Sequence, residues 1–331
     1  MNGYINLIKP PGMTSHDLVA AVRRIAGERR VGHAGTLDPA AAGLMVVALG
    51  QGTRLMEYAV AERKRYRAEM ILGIETDSHD TTGRVTARRD ASGVTPDELT
   101  TVMDRFKGDY SQIPPMVSAV KIGGRRLYDL ARQGREVERA PRQVHIYDLE
   151  MMDFTAGDNP VVLLDICCSK GTYIRTLCHD IGAGLGCGAA MSFLVRTESG
   201  THRIGDACTL HDLYEAGTKA QRHRGTRLRS ASFGAASPEA AKVSAALTEE
   251  DFFPFLRKID GLAASLPAIR LDTTQAERFR HGMGVQIAAG TAFGEYRVYE
   301  EENRFIGIAE ARIENGTPLL KPRKVMSDAA L

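Results

Sequence analysis

One acidic residue, Asp38, stands in the stretch GHAGTLDPAAAGLMVVALG (residues 32–50) between a glycine-rich bend and a proline. A carboxylate so placed can act as a nucleophile or as a general base. Gly32 and Gly35 permit backbone angles closed to other residues, and Pro39 pushes Asp38 out of the α region into an extended conformation. The LMVVAL that follows is short, apolar and β-branched enough for a buried strand, which would seat the loop on a core element. An Asp before Pro also commonly folds its side chain onto its own backbone as an Asx turn. Taken alone, these residues favour the Asx turn.

Basic and aromatic residues interleave elsewhere. Arg65 and Arg67 flank Tyr66; Arg125, Arg126, Arg132, Arg135, Arg139 and Arg142 crowd one strand-helix region; Lys170, Tyr173 and Arg175 open a helix. Arginine forks grip phosphates and aromatic rings stack on bases, a combination that suits RNA. The 125–142 cluster also holds Asp129, Glu136 and Glu138, and reads equally as a solvated face. Tyr66 by itself reads as core more than as a platform. Nucleotide loops fail on position: GLGCG (184–188) follows a helix, not a strand, and no G-K-[ST] closes a phosphate loop. The histidines are scattered without metal-ligand spacing, so neither a metal nor a cofactor is expected.

The elements that must position these residues read as follows. TSHDLVAAVRRIAG is a helix, capped by Thr14 or Ser15 and stopped by Gly27, with Leu18, Val22 and Ile25 on its inner face. Thr53 caps a short helix, and KRYRAEMILG alternates as a half-buried strand. A helix starts at Thr95–Pro96, LYDLARQG forms another ending at Gly134, strands span 143–154 and 161–168, and a helix begins near Tyr173 with Gly182 past its end. Strands and helices mix without regular βαβ alternation, which predicts an α+β fold on a largely antiparallel sheet. Residues 1–216 form the expected first domain, able to fold alone. From 217 to 249 a Gly-, Ser-, Ala- and Arg-rich stretch, with Arg222, Arg224, Arg227 and Arg229, reads as a flexible linker. Short strands separated by Gly and Asn turns make 250–325 a small β-barrel-like module.

The 331 residues suffice for two domains; 43% are hydrophobic, 25% charged, and the net charge is only +2, so affinity for nucleic acid must come from local clusters. MNGYINLIKPPGMTS lacks a signal peptide's apolar core, and no apolar run reaches membrane-span length; a cytoplasmic protein without membrane contact is expected. Five cysteines (Cys167, Cys168, Cys178, Cys187, Cys208) form no C-x-x-C pair and read as free, mostly buried thiols.

Four blocks, GHAGTLDPAAAGLMVVALG, KRYRAEMILGIETDSHDTTG, IPPMVSAVKIGGRRLYDLARQG and CSKGTYIRTLCHDIG, follow the order and spacing of the bacterial tRNA pseudouridine-55 synthase (TruB) family, which the chain resembles from residue 3 to about 212. The C-terminal module resembles the PUA-type RNA-binding domain of these enzymes. The resemblance implies a pseudouridine synthase fold and cofactor-free isomerisation of uridine 55 to pseudouridine in the TΨC loop of tRNA. It also implies a flipped target base and one catalytic Asp, matched here by Asp38. By the same matching, His33 fills the space the flipped base vacates, Tyr66 stacks on the target uracil, and Tyr173 lines the pocket where its hydroxyl assists proton removal from carbon 5. Arg175 pairs with the catalytic carboxylate, Leu194 is a pocket wall, and Lys9 with Pro10 belongs to a structural segment near the site. Ala34 replaces the family's usual Thr, and Ala40 with Ala41 a commoner Leu-Ala pair, which alters packing but no chemical group.

The T arm of tRNA is therefore the expected partner of a monomeric enzyme needing no obligatory protein partner. A tRNA-folding helper with dispensable catalysis is the competing function. A third, the RNA-guided, partner-dependent relative, is disfavoured by the thumb-like segment 113–142.

Overall fold

The computed structural model describes residues 1–116, 118, 121–122, 125–126, 137–223, 254–300 and 303–326. The helix Ser15–Ala26 (α1) opens with Thr14 as cap, its hydroxyl and Asp17 forming a reciprocal capping box, and closes at Gly27 with φ 61°. β1 (Gly3–Lys9), β2 (Val31–His33) and β3 (Ala42–Leu49) surround it in sequence, and β3 is buried from Gly43 onward as its apolar run requires. Thr53 does not cap a helix: its hydroxyl donates to the Gly50 carbonyl within a 3-10 turn that leads into α2 (Met56–Ala61).

β4 (Lys64–Leu72) alternates as its sequence does, burying Tyr66, Ala68, Met70 and Leu72 on one face. After the hairpin β5 (Ile74–Thr76) and β6 (Val85–Arg88), α3 (Pro96–Asp104) begins with a second capping box at Thr95. β7 (Gly108–Gln112), β8 (Lys121–Ile122) and β9 (Arg125–Arg126) follow, then the long pair β10 (Arg142–Thr155) and β11 (Val161–Cys168). α4 (Ile174–Gly184) packs on β12 (Ala189–Ser199), and β13 (His202–Arg203) ends the run. Gly182 lies inside α4, not past its end. A Cβ there would sit 2.2 Å from the Ala189 nitrogen, so glycine lets the helix lie directly on the strand. The sequence helix LYDLARQG and the side chains of Arg125, Arg126, Arg132 and Arg135 fall outside the described residues.

Nine of these strands form one sheet in the order β1-β3-β12-β4-β11-β10-β7, with β2 on β3 and β13 on β12, while β5 with β6 and β8 with β9 make two separate two-stranded sheets. Only β12 and β3 run parallel within the large sheet, as the mixed order of elements leads one to expect. α5 (Leu210–His223) continues beyond residue 216, and the rest of the linker stretch lies outside the described residues. All five cysteines are buried and free.

β14 (Ala268–Leu271), α6 (Thr273–Arg280), β15 (Val285–Gln286), β16 (Gly294–Glu300), β17 (Phe305–Glu314) and β18 (Thr317–Val325) build a second, five-stranded sheet, ordered β14-β16-β17-β18-β15. It curls as a half-barrel over α6, whose Phe279 is fully buried. The segment before β14 lies against β1 through hydrogen bonds in both directions between the Tyr4 and Arg257 backbones. Ile259, Leu262, Phe305, Ile308 and Met326 share one apolar cluster with Tyr4, Val46, Leu55 and Ala59. Cutting the chain at 216 bares that surface, an energetic cost to a first domain folding alone. Leu262→Ala, at a fully buried position, is expected to cost about 2–5 kcal/mol. Calorimetry checks it: the principal transition should fall in temperature, whereas a loss confined to a small separate transition would show that the cluster does not join the two parts.

Candidate active site

The loop carrying Asp38 is held at three places. Before it, the Ser15 hydroxyl donates to the Leu37 carbonyl (3.1 Å) and accepts the Leu37 N–H (3.0 Å). After it, the fully buried Lys9 ammonium donates to the carbonyls of Pro10 (2.9 Å), Met13 (2.6 Å) and Pro39 (3.1 Å), and the Gly12 N–H reaches Pro39 as well. At the glycine bend, the Arg196 guanidinium donates to the Gly35 carbonyl (3.1 Å) and to the Leu44 carbonyl (2.7 Å). Gly43, at φ 108°, lets the backbones of β3 and β12 meet beside this arginine, since a Cβ there would lie 2.4 Å from the Arg196 carbonyl oxygen. The Ala41 N–H bonds the Asp38 carbonyl at 3.0 Å, so the turn is closed by the backbone, with Pro39 at its favoured second position. The carboxylate is left to face Arg175.

Arg175 sits in the first turn of α4 with only 4% of its side chain exposed. Its Nε lies 3.3 Å from Asp38 Oδ2 and its Nη1 lies 3.5 Å from Asp80 Oδ2. Asp80 is fixed in turn through Oδ1, which accepts the Ser78 hydroxyl (2.8 Å) and the Thr82 N–H (3.0 Å). Two carboxylates thus share one guanidinium. Burial is the largest influence on the Asp38 carboxyl and raises its pKa above the ordinary value; Arg175 opposes the rise, Asp80 adds to it, and Lys9 opposes it. Because 41% of the Asp38 side chain is open to solvent, the upward push is partial in the free protein and grows when a bound molecule excludes water. Burial likewise draws the Lys9 pKa down to about 8, against the pull of Asp38.

Tyr66 is 7% exposed. Its neighbours across the sheet are Arg196 and Ile166, and Leu194 stands opposite Ala68, so Tyr66, Leu194 and Arg196 project from the same face. Burial pushes the Tyr66 hydroxyl up to about 12, with Arg196 working against it and Asp38 adding to it. The arginines that flank Tyr66 in sequence point to the opposite face, where Arg65 pairs with Asp165 (2.5 Å) and Asp148 (3.0 Å) and Arg67 with Asp165 (3.6 Å). Tyr173 is the N-terminal cap residue of α4, and the Arg175 guanidinium lies 5.9 Å from the centre of its ring. His33 packs edge-on against His16 at 5.8 Å, and burial followed by the charges of His16 and Arg196 lowers its pKa.

The structure therefore joins Asp38, Arg175 and Tyr173 by direct contacts and sets Tyr66 beside them; Leu194 projects from the same sheet face as Tyr66, and His33 stands on β2 ahead of the loop. Sequence reasoning missed Ser15, Asp80, Gln112 and Arg196. A signal for Arg196 existed: a charged residue on the buried parity of an apolar strand requires partners. Among the described residues, no cluster of three or more His, Cys, Asp or Glu side chains is arranged to hold a metal ion.

Comparison with known proteins gives a consistent result. Residues 23–174 match the family model described as TruB family pseudouridylate synthase (N terminal domain), residues 175–231 the tRNA pseudouridylate synthase B C-terminal domain, and residues 267–326 the Pseudouridine synthase II TruB, C-terminal. The tRNA pseudouridine synthase B of Symbiobacterium thermophilum is 53% identical over 213 residues, covering 64% of this chain and 71% of that protein. That of Pelotomaculum thermopropionicum is 48% identical over 221 residues, covering 66% and 70%. Among solved structures, a chain of a Cbf5-Nop10-Gar1 complex is 28% identical, covers 98% of this chain and 84% of its own, and superposes with a TM-score of 0.70. A chain of the archaeal box H/ACA sRNP Nop10-Cbf5 complex gives 25%, 98%, 85% and 0.68.

Proposed function

Since the chain belongs to the TruB family of pseudouridylate synthases, we propose that it isomerises uridine 55 of tRNA to pseudouridine, with Asp38 as its catalytic carboxylate. The observation that carries this reading is the Asp38 carboxylate, presented by a loop fixed on both sides, paired with Arg175 and close enough to Tyr66 to act on its hydroxyl. The reaction breaks the bond from ribose to N1 of uracil, turns the base, and forms a bond to C5; the C5 proton leaves and N1 gains one. A carboxylate at the sugar serves either by attacking the anomeric carbon or by taking a ribose proton. Tyr66 stacks on the uracil once the nucleotide leaves its helix, Tyr173 and Leu194 line the pocket, and His33 takes the vacated space. Residues 1–216, with α5 running on to His223, are the catalytic domain, the remaining stretch up to 249 the linker and 250–325 the RNA-binding module of a stand-alone cytoplasmic enzyme. The T arm is its target. Among the described residues, no helix is long and apolar enough to cross a membrane.

The reading is tested with unmodified tRNA transcripts in buffer containing EDTA: a transcript with uridine at 55 should gain pseudouridine there, and one with cytidine at 55 should gain none. Modification elsewhere, or dependence on an added metal, would refute it.

Stacking on an aromatic ring is worth roughly 1–3 kcal/mol per base. Tyr66→Phe should therefore keep most of the single-turnover rate and Tyr66→Leu should lose about tenfold or more. Equal impairment of the two would assign the effect to the hydroxyl that faces Arg196 and Asp38.

A further inference from the structure

β7 ends at Gln112, which is 1% exposed and spends both ends of its amide on one residue. Its Oε1 accepts the Tyr173 N–H at 2.8 Å, and its Nε2 donates to the Tyr173 carbonyl at 3.0 Å. A donor and an acceptor on the same partner fix the orientation of the amide. Cap positions favour Ser, Thr, Asp and Asn, whose side chains satisfy the free N–H groups of a first turn. Tyr173 makes no such bond, its ring being turned toward Arg175 instead. Gln112 stands in for the missing local partner from a different element.

We propose that Gln112 is a positioning residue for the isomerisation: by clamping the Tyr173 backbone it fixes the first turn of α4, and with it the Tyr173 ring and the Arg175 guanidinium, against Asp38. This rests on the function proposed above. Gln112 also occupies a fork in the chain, since Ile113, Pro114 and Pro115 leave the sheet directly after it and Arg142, where the chain returns, is its partner across β10. Arg139 closes the base of that excursion by donating to the Pro114 carbonyl at 3.2 Å. The clamp therefore ties the root of the segment 113–142 to the helix that carries the charge partner of Asp38.

The test compares Gln112→Ala and Gln112→Glu with wild type under single-turnover conditions, with saturating enzyme over an unmodified tRNA transcript, from pH 5.5 to 8.5. Misplacing reacting groups by about 1 Å costs on the order of 100-fold, so Gln112→Ala should be roughly 10- to 100-fold slower, with tRNA affinity within about twofold of wild type. Glu has the shape of Gln. Ionised, it sets an acceptor against the Tyr173 carbonyl; protonated, it again offers one donor and one acceptor. The ratio of the Gln112→Glu rate to the wild-type rate should rise as pH falls, because burial favours the neutral acid. The titratable groups nearby are Tyr110 on β7, whose hydroxyl also meets the Gln112 amide, and the Asp180 of α4 to which that hydroxyl bonds; repeating the ratio in a Tyr110→Phe background separates their contribution from that of residue 112. A purely structural residue would lower stability without producing this pH-dependent rescue. A wild-type rate in Gln112→Ala, a rate loss matched by lost affinity, or a ratio flat in pH would overturn the proposal. Should the Ala variant fail to fold, the Glu ratio decides. If Asp38→Asn is inert while both Gln112 variants run at wild-type speed, only this inference fails; if Asp38→Asn is active, the proposed function fails first.

Discussion

Arg175→Met is expected to slow single-turnover isomerisation by roughly 10²–10³-fold, the usual cost of removing one preorganised charge donor. Arg175 contacts both Asp38 and Asp80, so its loss leaves two carboxylates without the guanidinium they share. Burial and Asp80 raise the Asp38 pKa while Arg175 and, less strongly, Lys9 lower it; without the arginine only Lys9 opposes the two upward influences. The carboxylate form carries the chemistry, so activity is lost as pH falls through the Asp38 pKa. That acidic limb should already lie above the ordinary carboxylate value in the wild type and move to still higher pH in Arg175→Met. Arg175→Lys keeps the charge but lacks a planar fork able to span two carboxylates, and should recover only part of the rate. Stability should fall too, toward the lower end of the roughly 3–5 kcal/mol seen when one partner of a buried pair is removed, because Asp38 retains access to water. A pH–rate profile of the three proteins, with a thermal midpoint for each, checks this. An unshifted acidic limb in Arg175→Met would show that the arginine does not govern the carboxylate.

Local pattern carried a good part of this molecule. The capping residues Thr14 and Thr95, the stop at Gly27 and the alternation of β4 are each written within a few neighbouring residues, and the structure follows them. The Asp38 loop was legible as a presented carboxylate, but its two readings parted only in three dimensions, where a backbone bond from Ala41 closes the turn and frees the side chain. The failures share a cause. Gly182 looks like a helix stop, yet its role depends on Ala189 of the next strand. Ser15 sits one residue inside a helix start and looks like a spare cap, yet its hydroxyl serves Leu37 across 22 positions. Arg196 and Gly35 are 161 positions apart, and Gln112 and Tyr173 are 61. No periodicity reports which distant backbone group a buried polar side chain will meet. What the sequence does report is that such a side chain must meet one.

Asp38→Asn is expected to abolish product, to below roughly 10⁻⁴ of the wild-type rate, because the amide can neither attack the anomeric carbon nor accept a ribose proton. It is close to isosteric with the carboxylate and keeps an oxygen for the Arg175 Nε, so the cleft should hold its shape. Binding should persist or tighten, since one negative charge is withdrawn from a site approached by a polyanion. That pairing of intact affinity with lost chemistry also separates an isomerase from a tRNA-folding helper, whose function would survive the substitution. The most direct measurement uses a tRNA transcript carrying tritium at C5 of its uridines, followed for release of label into water and then mapped for the modified position. Formation of the bond from ribose to C5 expels the hydrogen there, so wild type should release a single equivalent per tRNA, all from position 55, and Asp38→Asn should release none while still retaining tRNA on a filter. Release by Asp38→Asn at a rate near wild type, or label kept at position 55 by the wild-type protein, would contradict the assignment.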